Sequence, residues 1–326
     1  MKFQSVHPVV NGFEPLSPQT PTGAAIHHPL VPQDRAAMAK IREAMATATK
    51  VPLDRATFDE IIGHTVPADG VAFEAAIVGG VPGLWCRPTD APTRSVILYI
   101  HGGAYILGSS QAYKNLVSQI AKRAQTVTFI PDYALAPEEP FPGAIQDAQA
   151  VYCGLISEGF TDLALVGDSA GGGVVLALLA LAASQACDGV SLCPKCAVAI
   201  SPWIDLALTG PSLQLRASVD PILSKETLAN AAAQYLGGHD AKDPLASPLY
   251  GNLAGLPPIQ LHVGEDDILF DDARRYAEGV TAANGYVNLH TWEGMLHVFP
   301  TSVGVLQASV AALDEIASFL KIIGNP

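Results

Sequence analysis

The stretch Leu163-Ala164-Leu165-Val166-Gly167-Asp168-Ser169-Ala170-Gly171-Gly172-Gly173 decides the fold. Its first four residues are a short β-rich apolar run, and the residues beyond Gly173 continue as an apolar helical stretch over 174–183. Between the two stands Gly-x-Ser-x-Gly. Alone the motif is a weak signal, because glycine and serine abound in loops. Between a strand and a helix it reads as a nucleophile elbow, a strained turn that lifts a serine oxygen above the edge of a sheet. Gly167 and Gly171 are needed because a side chain at either position would collide with the neighbouring chain. The helix that starts at Ala170 turns its positive end toward the place where an oxyanion would form.

A serine hydroxyl is a poor nucleophile at neutral pH without a general base, and the base needs a carboxylate to fix its tautomer and stabilise the imidazolium. Upstream, the run SVILYI leads into His101-Gly102-Gly103-Ala104-Tyr105, the loop position that supplies a second oxyanion donor. The backbone N–H groups of Gly102, Gly103 and Ala104, with that of Ala170, are the candidate donors. An ordinary turn with a surface histidine would explain this loop alone, but not its place one helix and two strands ahead of the elbow. His101 itself reads as a loop brace. Of the nine histidines, His7, His27, His28 and His64 precede the sheet, His239 lies in an insertion and His262 inside a buried strand. His297 is left in a loop after the last strand. The order nucleophile, acid, base then calls for a carboxylate between Ser169 and His297, and Glu265-Asp266-Asp267 after the run IQLHVG supplies one. Taken singly, an acidic loop is usually solvated and a lone histidine usually structural; the joint order is what carries the reading.

From about residue 71, β-rich runs alternate with helical ones. VAFEAAIV and GLWCRP read as a hairpin, and SVILYI, TVTFIPD, LALVGD, AVAIS, IQLHVG and NLHTW as strands. Helices are expected near 113–123, 142–157, 170–183 and 271–283; a last one sets Leu306, Val310, Leu313, Ala317 and Leu320 along one stripe, with Gly324 as its C-cap. Strands spaced by helices of this length make an α/β fold, a mostly parallel central sheet flanked by helices on both faces. The alternation breaks over 206–255, where a helix carries Leu228, Ala231, Ala232, Tyr235 and Leu236 on one side. The first 34 residues, rich in Pro, Gly and Thr, suggest an extended segment lying on other structure. Two short amphipathic helices follow, one capped by Asp34 with Met38, Ile41 and Met45 on a face, the other facing inward through Phe58, Ile61 and Ile62. These helices and the insertion are expected to form a helical cap over the carboxyl edge of the sheet, where open α/β sheets bind ligands. The expected organisation is an N-terminal segment with cap helices over 1–65, a core in two parts over 66–205 and 256–326, and a cap insertion over 206–255.

The bulk properties narrow the function. Of 326 residues, 49% are hydrophobic and 15% charged, a globular composition. The net charge of −13 repels phosphate backbones and anionic lipid surfaces, which argues against nucleic acid and membrane partners. Pro8, Pro15 and Pro18 would break a signal helix, and the longest apolar run falls short of the ~20 residues that span a bilayer, so a cytoplasmic protein is expected. The five cysteines describe no disulfide framework and fit free thiols. Cys193-Pro194-Lys195-Cys196 has no second ligand pair nearby and reads as a turn into a strand rather than a zinc or redox site.

With these residues in place, the chain resembles the hormone-sensitive-lipase-like esterases, the bacterial group with a His-Gly-Gly motif ahead of a Gly-Asp-Ser-Ala-Gly elbow. The resemblance spans roughly residues 95–323. It includes Asp132-Tyr133-Ala134-Leu135-Ala136-Pro137-Glu138, Pro140-Phe141-Pro142, Ser201-Pro202-Trp203-Ile204-Asp205-Leu206 and the contexts Asp267-x-Leu269 and His297-x-Phe299. It implies the α/β-hydrolase fold and selects Asp267 over Asp266 as the partner of His297. It also implies acyl transfer to Ser169 followed by hydrolysis, with no cofactor and no metal. The chain departs from the family at Ala104, where a third glycine is frequent, and at Ala134, where an arginine is; the second removes a charge that could brace Asp132 or Glu138. The partner expected is a small-molecule ester of short to medium chain, and a homodimer is compatible with the reading. A lactone would present the same carbonyl to the same groups. A non-catalytic receptor on this fold would be expected to have lost the base, and an amidase has no positive signal.

Overall fold

The computed structural model describes residues 23–47, 54–89, 91, 94–184 and 193–321. In chain order the elements are β1 (Ala25–His28), α1 (Pro32–Thr47), α2 (Arg55–Gly63), β2 (Val71–Val78), β3 (Val81–Pro88), β4 (Ser95–Ile100), α3 (Ser110–Ala124), β5 (Val127–Pro131), α4 (Gly143–Ser157), β6 (Asp162–Asp168) and α5 (Ser169–Ser184). They continue with β7 (Cys196–Ile200), α6 (Ser212–Leu215), α7 (Lys225–Leu236), β8 (Ile259–Gly264), α8 (Phe270–Ala282), β9 (Val287–Trp292) and α9 (Gln307–Leu320). The nine strands form one sheet in the order β1-β9-β8-β7-β6-β4-β5-β3-β2. Only the pairings of β3, with β2 and β5, are antiparallel.

The central strands are apolar without a break because both faces of the sheet are covered. On β4, Val96, Leu98 and Ile100 point into the core shared with α4, α5 and α8, while Ile97 and Tyr99 point into the core shared with α3 and α9. This is the period-two alternation of a strand, with apolar partners on both sides. Helix α5 is apolar around its circumference and packs on β6 and β7, as a helix in the middle of the molecule must.

Several boundaries differ from expectation. Helix α1 starts at Pro32, a residue suited to a first helical turn because it lacks the N–H that would go unpaired there. Asp34 therefore lies inside α1, and its carboxylate caps a different helix, accepting the N–H groups of Gln307 (2.7 Å) and Ala308 (2.8 Å) at the start of α9. In α2, Phe58 and Ile62 pack on the α3/α9 side of the core, but Ile61 is 53% exposed. In α9, Val310 turns to solvent, and Ala312 and Ile316 join Leu313, Ala317 and Leu320 in the buried stripe. Strand β1, parallel to β9, was not foreseen: Ala-Ile-His-His has no alternation to mark it. Gly324 lies outside the described residues.

The 206–255 segment carries α6 and α7, and α7 buries Leu228, Ala231, Ala232, Tyr235 and Leu236 as its pattern required. A capping box between Ser224 and Thr227 starts α7. Cys86, Cys193 and Cys196 are free thiols, and burial pushes Cys196 up to about 12. Cys153 is disulfide-bonded, which corrects the expectation of free thiols throughout. Among the described residues no helix is long and apolar enough to cross a membrane, and no cluster of three or more His, Cys, Asp or Glu could hold a metal ion.

Candidate active site

The elbow is built as its glycines demand. Ser169 sits between β6 and α5 at φ 52°, a left-handed conformation strained for any side chain bulkier than glycine's hydrogen. A Cβ on Gly167 would lie 2.6 Å from the carbonyl oxygen of Gly171, and one on Gly171 would lie 2.1 Å from that of Ile100. No other residue fits either position without moving the backbone of β4 or α5. The Ser169 carbonyl accepts the Trp203 N–H at 3.0 Å, which ties the elbow to the loop after β7.

Three side chains from three loops meet at the carboxyl edge. Ser169 Oγ is 2.9 Å from His297 Nε2, and His297 Nδ1 is 2.9 Å from Asp267 Oδ2. The other oxygen of Asp267 accepts the Leu269 N–H at 2.9 Å, and the carboxylate is wholly buried. An ionised carboxylate only accepts, so Nδ1 carries the imidazole proton and Nε2 presents its lone pair to the serine hydroxyl. Asp266, one residue earlier, turns the opposite way and pairs with Arg42 of α1 at 2.5 Å. Burial by itself would lower the pKa of His297, but the carboxylates of Asp267, Asp220 and Asp168 outweigh it and hold the imidazole above its ordinary value. The loop that carries His297 is fixed from behind, where Ser201 Oγ accepts the Val298 N–H at 3.1 Å.

The loop after β4 is held by the elbow itself. Asp168, beside the serine, accepts Tyr99 Oη (2.8 Å) and the Gly102 N–H (3.0 Å) on one oxygen and Tyr113 Oη (3.1 Å) on the other. Burial pushes its carboxyl up to about 6 despite these three donors. The Gly102 N–H is thus engaged with Asp168, and of the four expected oxyanion donors this one has its hydrogen directed elsewhere. Gly103 and Ala104 follow at φ 116° and 55°, a turn closed by Ile106 and Leu107 N–H groups on the Gly103 carbonyl. Among the described residues the N–H groups of Gly103 and Ala104 have no acceptor. A Cβ on Gly103 would come within 2.1 Å of the Leu107 carbonyl oxygen. His101 is fully buried rather than on the surface. Its ring lies between Tyr113 and Tyr133, with Nδ1 2.7 Å from its neighbour's carbonyl, and burial lowers its pKa. It braces the loop.

The two acids that lack an arginine at position 134 have found other partners. Arg55 of α2 holds Glu138 through both terminal nitrogens (2.6 and 3.1 Å) and also reaches the carbonyls of Ile106 and Ala136. Asp132 accepts the N–H and hydroxyl of Ser110. From the 206–255 segment, Tyr235 of α7 stacks on Tyr105 with ring centroids 3.9 Å apart, next to the same loop. Asp168, Ser201, Asp220 and Arg55 were not singled out by sequence as site residues. Only Asp168 and Ser201 stand in quoted motifs, and nothing local marks the other two.

The comparisons agree with this architecture. Residues 97–301 match a family model described as α/β hydrolase fold. An acetyl-hydrolase of Streptomyces hygroscopicus is 38% identical over 251 residues, 76% of this chain and 82% of that protein. An esterase of Acinetobacter venetianus is 35% identical over 233 residues, 71% of this chain and 76% of the relative. A crystal structure of an esterase from the bacterial hormone-sensitive lipase family superposes with a TM-score of 0.82 at 37% identity, covering 90% of this chain and 98% of the other. The chain belongs to the α/β-hydrolase family and, within it, to the esterases of the bacterial hormone-sensitive-lipase type.

Proposed function

We propose that Ser169, His297 and Asp267 hydrolyse short- to medium-chain carboxylic esters through an acyl-enzyme. The observation that carries this reading is the continuous chain of 2.9 Å contacts from Ser169 Oγ through the imidazole to Asp267. His297 Nε2 takes the hydroxyl proton as Oγ attacks the ester carbonyl carbon. The carbonyl oxygen, now negative, is met by the N–H groups of Gly103, Ala104 and Ala170. The tetrahedral intermediate collapses as His297 returns the proton to the departing alcohol oxygen, leaving the acyl group on Oγ. Water, deprotonated by the same Nε2, then repeats the sequence and frees the acid. Asp267 keeps the Nδ1 proton in place and stabilises the imidazolium formed in each half-reaction.

The 206–255 segment and helices α1 and α2 act as a cap. Support comes from the Tyr105–Tyr235 stack, the Arg42–Asp266 pair and the Arg55 contacts, all of which fasten these pieces beside the catalytic loops. A closed pocket of this kind favours acyl chains of about two to eight carbons. Each methylene adds about 0.8 kcal/mol while it can be buried, and the next one after the pocket is full must strain the cap. Specificity constants across nitrophenyl esters from acetate to palmitate test this. The expected profile rises and then falls before the longest chains. A steady rise through palmitate, with activation at an oil–water interface, would mean that these elements form an open lipase lid instead.

A further inference from the structure

Outside the three residues already assigned, one carboxylate reaches the catalytic histidine's surroundings from a different part of the chain. Asp220 lies in the 206–255 segment, before α7, and is only 6% exposed. Its Oδ2 accepts the N–H of Ile268, the residue directly after Asp267, at 3.0 Å. Its Oδ1 accepts the N–H groups of Ile222 and Leu223 at 2.8 and 3.0 Å. Both oxygens thus accept backbone N–H groups, which favours the ionised form, while burial and the neighbouring Asp267 carboxylate push the carboxyl above its ordinary value. An unpaired charge this deeply buried is unfavourable unless something nearby needs it.

We propose that Asp220 is a positioning residue of the ester hydrolysis: it locks the acid loop to the cap through Ile268 and places a further negative charge against the His297 imidazolium. The inference rests on the catalytic roles proposed above for Ser169, His297 and Asp267. The charged groups facing His297 are Asp267 from the loop after β8, Asp220 from the cap and Asp168 from the end of β6. Asp267 makes the direct hydrogen bond. Asp220 acts at one remove, on the backbone beside Asp267 and through its charge. Every time His297 takes a proton from Ser169, three buried carboxylates then share the stabilisation of the cation, and one of them, Asp220, comes from the cap segment. The Asp220 side chain in this way joins the cap to the base, beside the contacts that Ser212 and Arg216 make to the carbonyls of Ile268 and Glu265.

The test is Asp220→Asn and Asp220→Ser, which are neutral and can still accept from the Ile222 and Leu223 N–H groups, beside Asp220→Glu, which keeps the charge. Kinetics with nitrophenyl acetate are normalised to folded, titratable enzyme by stoichiometric organophosphate labelling. Both neutral variants should lose kcat by roughly tenfold with KM little changed, less than the ~10²–10⁴ that a general base itself contributes. The acidic limb of their kcat/KM profile should move to lower pH, because removing a negative charge makes the imidazole easier to deprotonate. Asp220→Glu should keep the limb at its wild-type position. A limb that stays in place in the neutral variants would overturn the proposal, and so would failure of both to fold, since Asp220 would then be a stability residue alone. Ser169→Ala and Asp267→Asn, run in parallel, separate the outcomes: if they remain active the underlying catalytic assignment fails, whatever Asp220 does.

Discussion

Imidazoles at two places in this molecule have their pKa values moved in opposite directions. His297 stands at the carboxyl edge of the sheet. His28, His262 and His290 form a layer across β1, β8 and β9, with His262 opposite His290 in register and His28 opposite Trp292. Burial disfavours the charged form in both places. At His297 the carboxylates of Asp267, Asp220 and Asp168 reverse that effect. In the layer the hydrogen-bonding neighbours are neutral: His28 Nε2 meets His290 Nδ1 at 3.0 Å, Gln260 meets His290 Nε2 at 3.1 Å and Trp292 Nε1 donates to His262 Nδ1 at 3.2 Å. Burial therefore prevails there, lowering His262 well below its usual value and His290 to about 4, even though Glu315 pulls His28 upward. An inward position alone lowers an imidazole's pKa; the carboxylates beside His297 raise it.

Removing that carboxylate should break the contrast most severely. Asp267→Asn turns an amide N–H toward Nδ1, favours the tautomer with the proton on Nε2 and leaves no lone pair for Ser169. A loss of kcat of about 10⁴-fold is expected. Asp266→Asn, one position away, removes only the partly exposed pair with Arg42. Its kcat should stay within about twofold of wild type, and its stability within about 1 kcal/mol, as for other exposed ion pairs. If Asp266→Asn proved the crippling change, the acid would have been misassigned by one residue.

The neutral layer should show itself in stability rather than rate. His290 is lowered in the fold from 6.5 to about 4, so the folded state binds fewer protons than the unfolded chain in that interval. The stabilisation is complete above about pH 6.5 and is lost as pH falls toward 4, amounting to up to about 3 kcal/mol. Unfolding free energies from denaturant titrations between pH 7 and 4 should therefore fall more steeply for wild type than for His290→Gln. Parallel curves would show that His290 is not held neutral. Because Asp168 and the other carboxylates are present in both proteins, the difference between the curves reports His290 together with its neighbours His262 and His28.

How much of this was readable from sequence follows from the distance over which each feature is determined. The elbow and the loop at 101–105 are contiguous, and their glycines answer to backbone contacts that any tight turn of this kind creates. The helices announced themselves by periodicity, and α7 presented its buried face residue for residue. The capping role of Asp34 was not readable, because its partners lie 273 and 274 residues away on α9. Strand β1 exists only because β9 offers it an edge. The direction of the Gly102 N–H likewise depends on a carboxylate 66 positions downstream. Choosing Asp267 over Asp266 needed the family pattern, since two adjacent acids leaving a strand look alike until one of them is seen to meet Arg42.

The central claim is that Ser169 is a nucleophile because His297 and Asp267 make it one. Mass spectrometry of the intact and digested protein after brief exposure to a diethyl phosphoryl ester tests this most directly. The account predicts one adduct per chain, on the peptide containing Ser169, with labelling at least a hundredfold slower in Asp267→Asn, within the ~10²–10⁴ range of general-base catalysis. An adduct on another residue, or equal labelling rates in the two proteins, would contradict it.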